Sequence, residues 1–228
     1  MTETNVKGRG IVVPNAPVLA MANRFGRYKP EEEKAVRKVE VKEDETLRKM
    51  KNKYRKLCEF NDRIYEELES NGIMDVDEAV YRKAVDMTKR THYSSRDVER
   101  FSVALKEFED EDNPRSDIEL QNNAGIFLSA LINNGNDSDY VIHTAHLTVP
   151  LDFIGYQNTK NVTVNGDAGR WAGDSMQGGT VTVNGNAGAA LGREMKGGEI
   201  HINGEMVMVA DFMRHGKIFH KGKLIVDK

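Results

Sequence analysis

Cysteine, tryptophan and long apolar runs are almost missing from this chain. Of its 228 residues one is cysteine, Cys58, and one is tryptophan, Trp171. A single cysteine cannot close an internal disulfide, and no apolar leader opens the sequence, so the composition points to a reducing, cytoplasmic setting. No stretch approaches the roughly 18 consecutive apolar residues of a membrane-spanning helix. The mean hydropathy is −0.60. An excess of one charge is also lacking, since 33 Lys+Arg face 36 Asp+Glu for a net charge of −3. That excludes a bulk polycation coating nucleic acid or membrane by charge alone.

What is present is divided unevenly. Charged residues make up 52 of the first 140 positions but 17 of the last 88, whereas 14 of the 20 glycines lie in those last 88. Regions of such different chemistry are expected to hold separate cores. The run Asn133-Asn134-Gly135-Asn136-Asp137-Ser138 reads as a loop between them. Three parts are therefore expected: an irregular basic tail over residues 1–29, a helical domain over 30–134 and a glycine-rich domain over 140–228.

The tail carries Lys7, Arg9, Arg24, Arg27 and Lys29, and Pro14 and Pro17 interrupt its apolar run over residues 11–21. From Pro30 to about Asn71 the pattern is helical. Leu47, Met50, Tyr54, Leu57, Asn61, Ile64 and Leu68 fall at spacings of three and four, a seam of about three heptads with Asn61 as its polar member. Too short to be stable alone, the seam must bury itself against later helices or a second chain. Gly72 ends it, Asp75 and Glu78 read as a capping box for the next helix, and Ser95 as the cap of a third. Val98, Phe101, Leu105 and Phe108 share a face of that third helix, which Asn113-Pro114 ends. A last helix from about Asp117 turns Leu120, Ala124, Phe127, Leu128 and Leu131 inward.

The glycine-rich region contains a repeat. Val162-Thr163-Val164-Asn165-Gly166 recurs as Val181-Thr182-Val183-Asn184-Gly185 and again as Ile200-His201-Ile202-Asn203-Gly204, at an offset of 19. Gly169 and Gly188, Gly173 and Gly192, and Met176 and Met195 keep the same period. Asn-Gly by itself suggests a hairpin, but no second alternating run follows the turn. Stacked parallel coils about 4.8 Å apart explain the fixed period better. Val162, Val181 and Ile200 then form one interior row, and Val164, Val183 and Ile202 another. Thr163, Thr182 and His201 face outward. Met176 and Met195 fill a corner, and glycine recurs at left-handed or closely packed bends. The period decays at both ends. Segments 141–143, 147–149 and 153–155 read as irregular opening strands, and 217–220 and 224–226 as closing strands.

Two stretches carry a resemblance: Gly166-Asp167-Ala168-Gly169-Arg170-Trp171-Ala172-Gly173, running on through Met176 to Gly178-Gly179, and Gly185-Asn186-Ala187-Gly188-Ala189-Ala190-Leu191-Gly192, running on through Met195 to Gly197-Gly198. Over roughly residues 150–215 the chain resembles the GXGXG β-helix family. That family includes the C-terminal domain of the glutamate synthase large subunit and one of the subunits of formylmethanofuran dehydrogenase. The resemblance implies a right-handed β-helix used as a spacer or docking surface within a larger oxidoreductase, whose chemistry sits on other domains or subunits. It carries no catalytic position onto this chain.

Candidate chemistry is sparse. The glycine bends have the spacing G-x-x-G-x-x-x-G with strands on both sides, unlike a dinucleotide fingerprint between strand and helix. His143-x-x-His146 has the look of a metal pair but lacks accompanying ligands. His215 and His220 read as surface residues, and Cys58 as a small apolar residue beside the seam. Residues 48–56 hold six cations, Arg48, Lys49, Lys51, Lys53, Arg55 and Lys56, a face that could meet phosphates or an acidic protein. No catalytic, cofactor-binding or metal-ligating residue is assigned. The expected architecture is α+β: a helical N-terminal region followed by a short right-handed parallel β-helix of 19-residue coils. The expected role is a non-catalytic structural or assembly module that docks to itself or to an enzyme complex. The alternatives are an accessory subunit of a formylmethanofuran dehydrogenase-like or glutamate synthase-like oxidoreductase, and a nucleic-acid-associated protein using helix 48–56.

Overall fold

The computed structural model describes residues 44–71, 76–110 and 112–228. The basic tail, the helix start at Pro30 and the boundary signals at Gly72 and Asp75 lie outside them. Residues 43–228 make up one compact unit. Four helices come first: α1 (Glu45–Asn71), α2 (Val76–Thr88), α3 (Ser95–Ala104) and α4 (Pro114–Asn134), with a 3-10 turn (Leu105–Phe108) after α3. Six strands follow: β1 (Asp139–His143), β2 (Asn161–Asn165), β3 (Thr180–Val183), β4 (Lys196–Ile202), β5 (His215–His220) and β6 (Lys223–Asp227).

The apolar seam of α1 buries itself within the chain. Met50, Tyr54 and Leu57 are fully buried and Asn61 nearly so. The ring of Tyr54 packs on Phe101, Phe108 and Phe127 at centroid distances of 5.9, 4.8 and 5.5 Å. The described part of the seam thus has α2, α3 and α4 as its partners. Two helix boundaries shift from the sequence reading. The cap of α3 is Ser94 rather than Ser95, closed by a reciprocal capping box with Asp97. Pro114 opens α4 instead of only ending the helix before it, because the first helical position has no use for the missing N–H.

The strands form a right-handed parallel solenoid of about four turns. They lie in the order β1-β2-β3-β4-β5-β6, parallel through β5, with β6 antiparallel. Register stacks Tyr140, Val162, Val181, Ile200 and Ile218 in one row, all buried. Ile142, Val164, Val183 and Ile202 form the second row. Each such side chain contributes about 1.5–3 kcal/mol through burial. Met176 and Met195 are fully buried at their corner. Where strands end, Asn165, Asn184 and Asn203 form a side-chain ladder, Asn184 Nδ2 donating to Asn165 Oδ1 and Asn203 Nδ2 to Asn184 Oδ1, both at 2.9 Å.

The repeat is longer than a 19-residue period reveals, because the outer coils change length. Lys196 still pairs with His215, 19 residues on, but after an irregularity Glu199 and Ile200 pair with Lys217 and Ile218, 18 residues on. At the start, Asp139 pairs with Asn161, 22 residues on, while the corner is shorter. Leu151 bridges to Ala168, and Phe153, Gly155 and Gln157 adopt the left-handed backbone of Trp171, Gly173 and Ser175. Residues 147–149 and 153–155 are therefore turns and corner, not strands. Gly173 shows why the corner needs glycine. Its φ is +71°, and a Cβ there would lie 2.4 Å from Ile200 Cδ1.

Helix α4 closes the first coil. Gly125 lets the two backbones meet, since a Cβ at that position would lie 1.9 Å from the Asp152 carbonyl oxygen. Asp152 N–H donates to Gln121 O at 2.9 Å. The buried Ser129 hydroxyl accepts from Gly155 N–H at 3.0 Å and Tyr156 N–H at 3.1 Å, and donates to Gly125 O at 2.7 Å. Helix α3 packs on β1, where Ser102 Oγ accepts from His143 N–H at 2.9 Å. The buried residues of helices and solenoid form one cluster, in place of the separate cores that composition suggested. Asn133 and Asn134, read from composition as loop, end α4, and they and the stretch before β1 are tied down as well. Asn133 donates to Tyr81 Oη and Tyr156 O, Asn134 to Val85 O and Thr88 Oγ1, and Asp137 accepts from Ser95 N–H.

Candidate functional site

The amides of the glycine corners are spent largely on neighbouring coils. Gly169 and Gly173 donate backward, to Leu151 O and Ile154 O at 2.8 Å each. Ala168, Trp171 and Ser175 donate forward, to Asn186 O, Ala189 O and Arg193 O. Alternating left-handed residues turn successive amides toward opposite neighbours, so each coil is stitched to both sides. A backbone cradle for an anion needs several amides converging on one point, and these diverge.

Of the six cations of residues 48–56, Lys51 and Lys53 are committed inside the chain and the other four are exposed. Lys51 is buried and its ammonium lies 2.8 Å from both carboxylate oxygens of Glu107. Lys53 donates to Met87 O at 2.6 Å and to Thr91, securing the end of α2; burial there, then the neighbouring Lys49, pull its pKa down. Lys49 pairs with Glu45 at 2.7 Å, and Arg55 bonds to Asn52 and lies over the Phe108 ring. Arg48 and Lys56 are exposed. Burial pushes the Cys58 thiol up to about 11, which keeps it protonated and unreactive at neutral pH.

The histidines do not assemble a metal centre. His143 Nε2 lies 3.0 Å from Glu99 Oε1. His220 Nε2 lies 3.0 Å from Gly204 O, while His215 is exposed. Among the described residues no group of three or more His, Cys, Asp or Glu is placed to hold an ion. An open groove of about 760 Å³ runs between α1 and α3, lined by Leu47, Arg96, Glu99, Arg100, Val103 and Glu107. Its charges are mixed, and it brings together no nucleophile with a base.

A polar ledge on the solenoid flank is structural. Arg170 grips the fully buried Asp152 carboxylate with Nε at 3.1 Å and Nη2 at 3.0 Å. One coil on, Arg193 Nε does the same to the buried Asp174 at 2.6 Å. Both guanidinium groups lie over Trp171, which stacks on Phe153 at 4.7 Å. Helix α2 joins here through Glu78, which accepts from Tyr156 Oη–H at 3.0 Å and Gln157 Nε2–H at 2.6 Å.

The unexplained surface is the far end of the solenoid. Of the eight exposed large apolar residues among those described, five lie on the last coil or the strand beyond it: Val207, Met208, Phe212, Leu224 and Ile225. Phe212 is 75% exposed and Val207 71%. Met206, Val209 and Val226 beneath them are only partly buried, so the interior itself reaches this surface. β6 is the last strand of the sheet, and no strand among the described residues pairs with its outer edge. The sequence shows these residues, but the spacing changes from 19 at Ala187–Met206 to 18 at Leu191–Val209 and β6 reverses direction, so a fixed period does not group them. No helix among the described residues is long and apolar enough to cross a membrane. Comparison with family models, with curated proteins and with solved structures returns no match for this chain.

Proposed function

We propose that this chain is a non-catalytic assembly module, a helix-capped β-solenoid that docks through its far end. The observation that carries the reading is the exposed apolar group of Val207, Met208, Phe212, Leu224 and Ile225 around an unpaired strand edge. Clustered apolar exposure of this kind marks interaction surfaces, whereas single exposed residues need no explanation. With Lys51 and Lys53 committed inside the chain and the corner amides diverging, docking is better supported than nucleic-acid or nucleotide binding. The solenoid repeat also supports kinship with the GXGXG β-helices, and the parent assembly would then be an oxidoreductase complex with its chemistry on other subunits.

The test is made in extract from the native host, by size fractionation of the wild type and of a Phe212→Asp, Leu224→Asp variant. The reading expects the wild type in a species well above one chain's mass, and the variant released from it. A wild type that elutes as one chain overturns it, as does a variant that stays in the large species. Mass spectrometry of that species for iron–sulfur or molybdopterin subunits decides the oxidoreductase version.

A further inference from the structure

We infer that the occupant of the far end is a second copy of this chain, paired strand to strand through β6 about a two-fold axis. The inference rests on the assembly reading and names its partner.

Three features of β6 select a copy of itself. First, two identical strands related by a two-fold axis must run antiparallel, and an antiparallel partner completes the ladder of an unpaired edge. β6 has such an edge among the described residues, and its pairing to β5 continues past a bulge at Ile225 to its end, where Gly216 and Lys228 exchange both backbone hydrogen bonds, at 2.9 and 3.1 Å. Second, the strand reads Lys223-Leu224-Ile225-Val226-Asp227, with opposite charges at its two ends and apolar residues between. Neither Lys223 nor Asp227 has an ion-pair partner among the described residues. A two-fold axis through Ile225 sets each Lys223 opposite Asp227 of the other copy, Leu224 opposite Val226, and Ile225 opposite itself. Sliding the register by one residue either sets Lys223 against Val226 or brings it opposite Lys228, a like charge. The charge pattern therefore fixes both the direction and the register.

Third, the apolar surface around the strand matches this arrangement. Natural edge strands avoid pairing by placing charge or proline in mid-strand, and β6 instead carries Leu, Ile and Val there. The ladder to β5 has a bulge that leaves Ile225 as an extra residue, so a partner strand has to follow the local twist at the proposed axis. Val207, Met208 and Phe212 on the last coil provide the apolar surroundings that a partner copy would bury with it.

Charge exchange on the purified full-length chain tests this. Light scattering at high micromolar concentration should give the wild type twice the 25.6 kDa mass of one chain. Lys223→Asp alone sets like charges across the axis, as does Asp227→Lys alone, and each should run as one chain. Mixing the two single variants in equal amounts restores opposite charges at both contacts, and the double mass should return. The Lys223→Asp, Asp227→Lys double variant should also pair. Recovery on mixing shows that both single variants are folded, which loss of mass alone would not. A purified wild type at one chain's mass overturns the inference, as do single variants that still pair or a mixture that does not recover. If the purified chain is single while the native extract still shows a Phe212-dependent large species, the second-copy inference fails and the assembly reading stands.

Discussion

At the helical end of the solenoid, Gln121, Ser129 and Asn133 take up backbone groups of the first coil, and Gly125 removes the side chain that would hold α4 away. At the far end the described residues provide only the hairpin partner β6, with Phe212 and Leu224 in the open. Every stack of parallel coils has the same difficulty at both ends, because its last rung carries unpaired amides and uncovered apolar side chains. One end is closed by helices whose own core is continuous with the coils. The other end is left with a strand edge and a group of exposed apolar residues. Among the described residues one end is closed in detail and the other is not, and the exposed apolar group at the second end is read as a docking surface.

The strongest perturbation would remove the stack that joins the ends. Val183 is fully buried between Val164 and Ile202. Val183→Asp is expected to unfold the solenoid, since an unpaired buried carboxylate costs several kcal/mol, comparable with the roughly 5–15 kcal/mol that stabilises a whole domain. Thr182→Asp, one residue away on the outer face, should lower stability far less. Circular dichroism melts of the two variants check this, and equal melting temperatures would contradict the ladder.

The capped end should show a reversal of sign. Gly→Ala in a helix interior normally stabilises by about 1 kcal/mol. At Gly125 the same change places a Cβ 1.9 Å from Asp152 O, so α4 must lift from the coil. A loss of about 2–3 kcal/mol is expected, in the range of overpacking, read as a fall in the denaturant midpoint. Ser129→Ala should cost somewhat less, about 2 kcal/mol, because Gly155 and Tyr156 N–H lose a buried acceptor without a steric clash. Stabilisation by either change would show that the cap does not bear on the coil.

These effects follow the boundary of what is legible in the sequence. The inward rows of β2, β3 and β4 are legible because strand residues alternate faces and the coils there share one length. The first and last rungs are not. Tyr140 and Ile142 sit behind a coil of 22 residues, and Ile218 behind one of 18. A fixed period is lost after one change in length even though the backbone register continues. Seam residues of α1 stand out as apolar, but periodicity says nothing of what covers a face, and the choice between own helices and a second chain needs the contacts of Tyr54. By composition the loop at residues 133–138 looks like a linker. Asn133 and Asn134 instead end α4 and are tied to α2 and the first coil, since amide side chains serve a buried junction as readily as a solvated turn.

At the open end the smallest effect is expected, and its dependence on concentration carries the information. Phe212 buries little of its ring, so Phe212→Ser removes little burial and should change the stability of a dilute sample by no more than about 0.5 kcal/mol. If the far end binds a second copy, the folded wild type is further stabilised by mass action as concentration rises, and its melting temperature climbs accordingly. The variant, with its docking surface weakened, should lose that climb while matching the wild type at low concentration. Thermal melts over a wide dilution series separate the cases. Parallel curves offset by a constant amount would mean that Phe212 supports the fold of its own coil. Flat curves for both proteins would mean that no second copy binds there. Curves that meet on dilution and diverge on concentration are the outcome expected of a cap supplied by another molecule, and Gly125→Ala at the helical end should show no such divergence beyond that of the wild type.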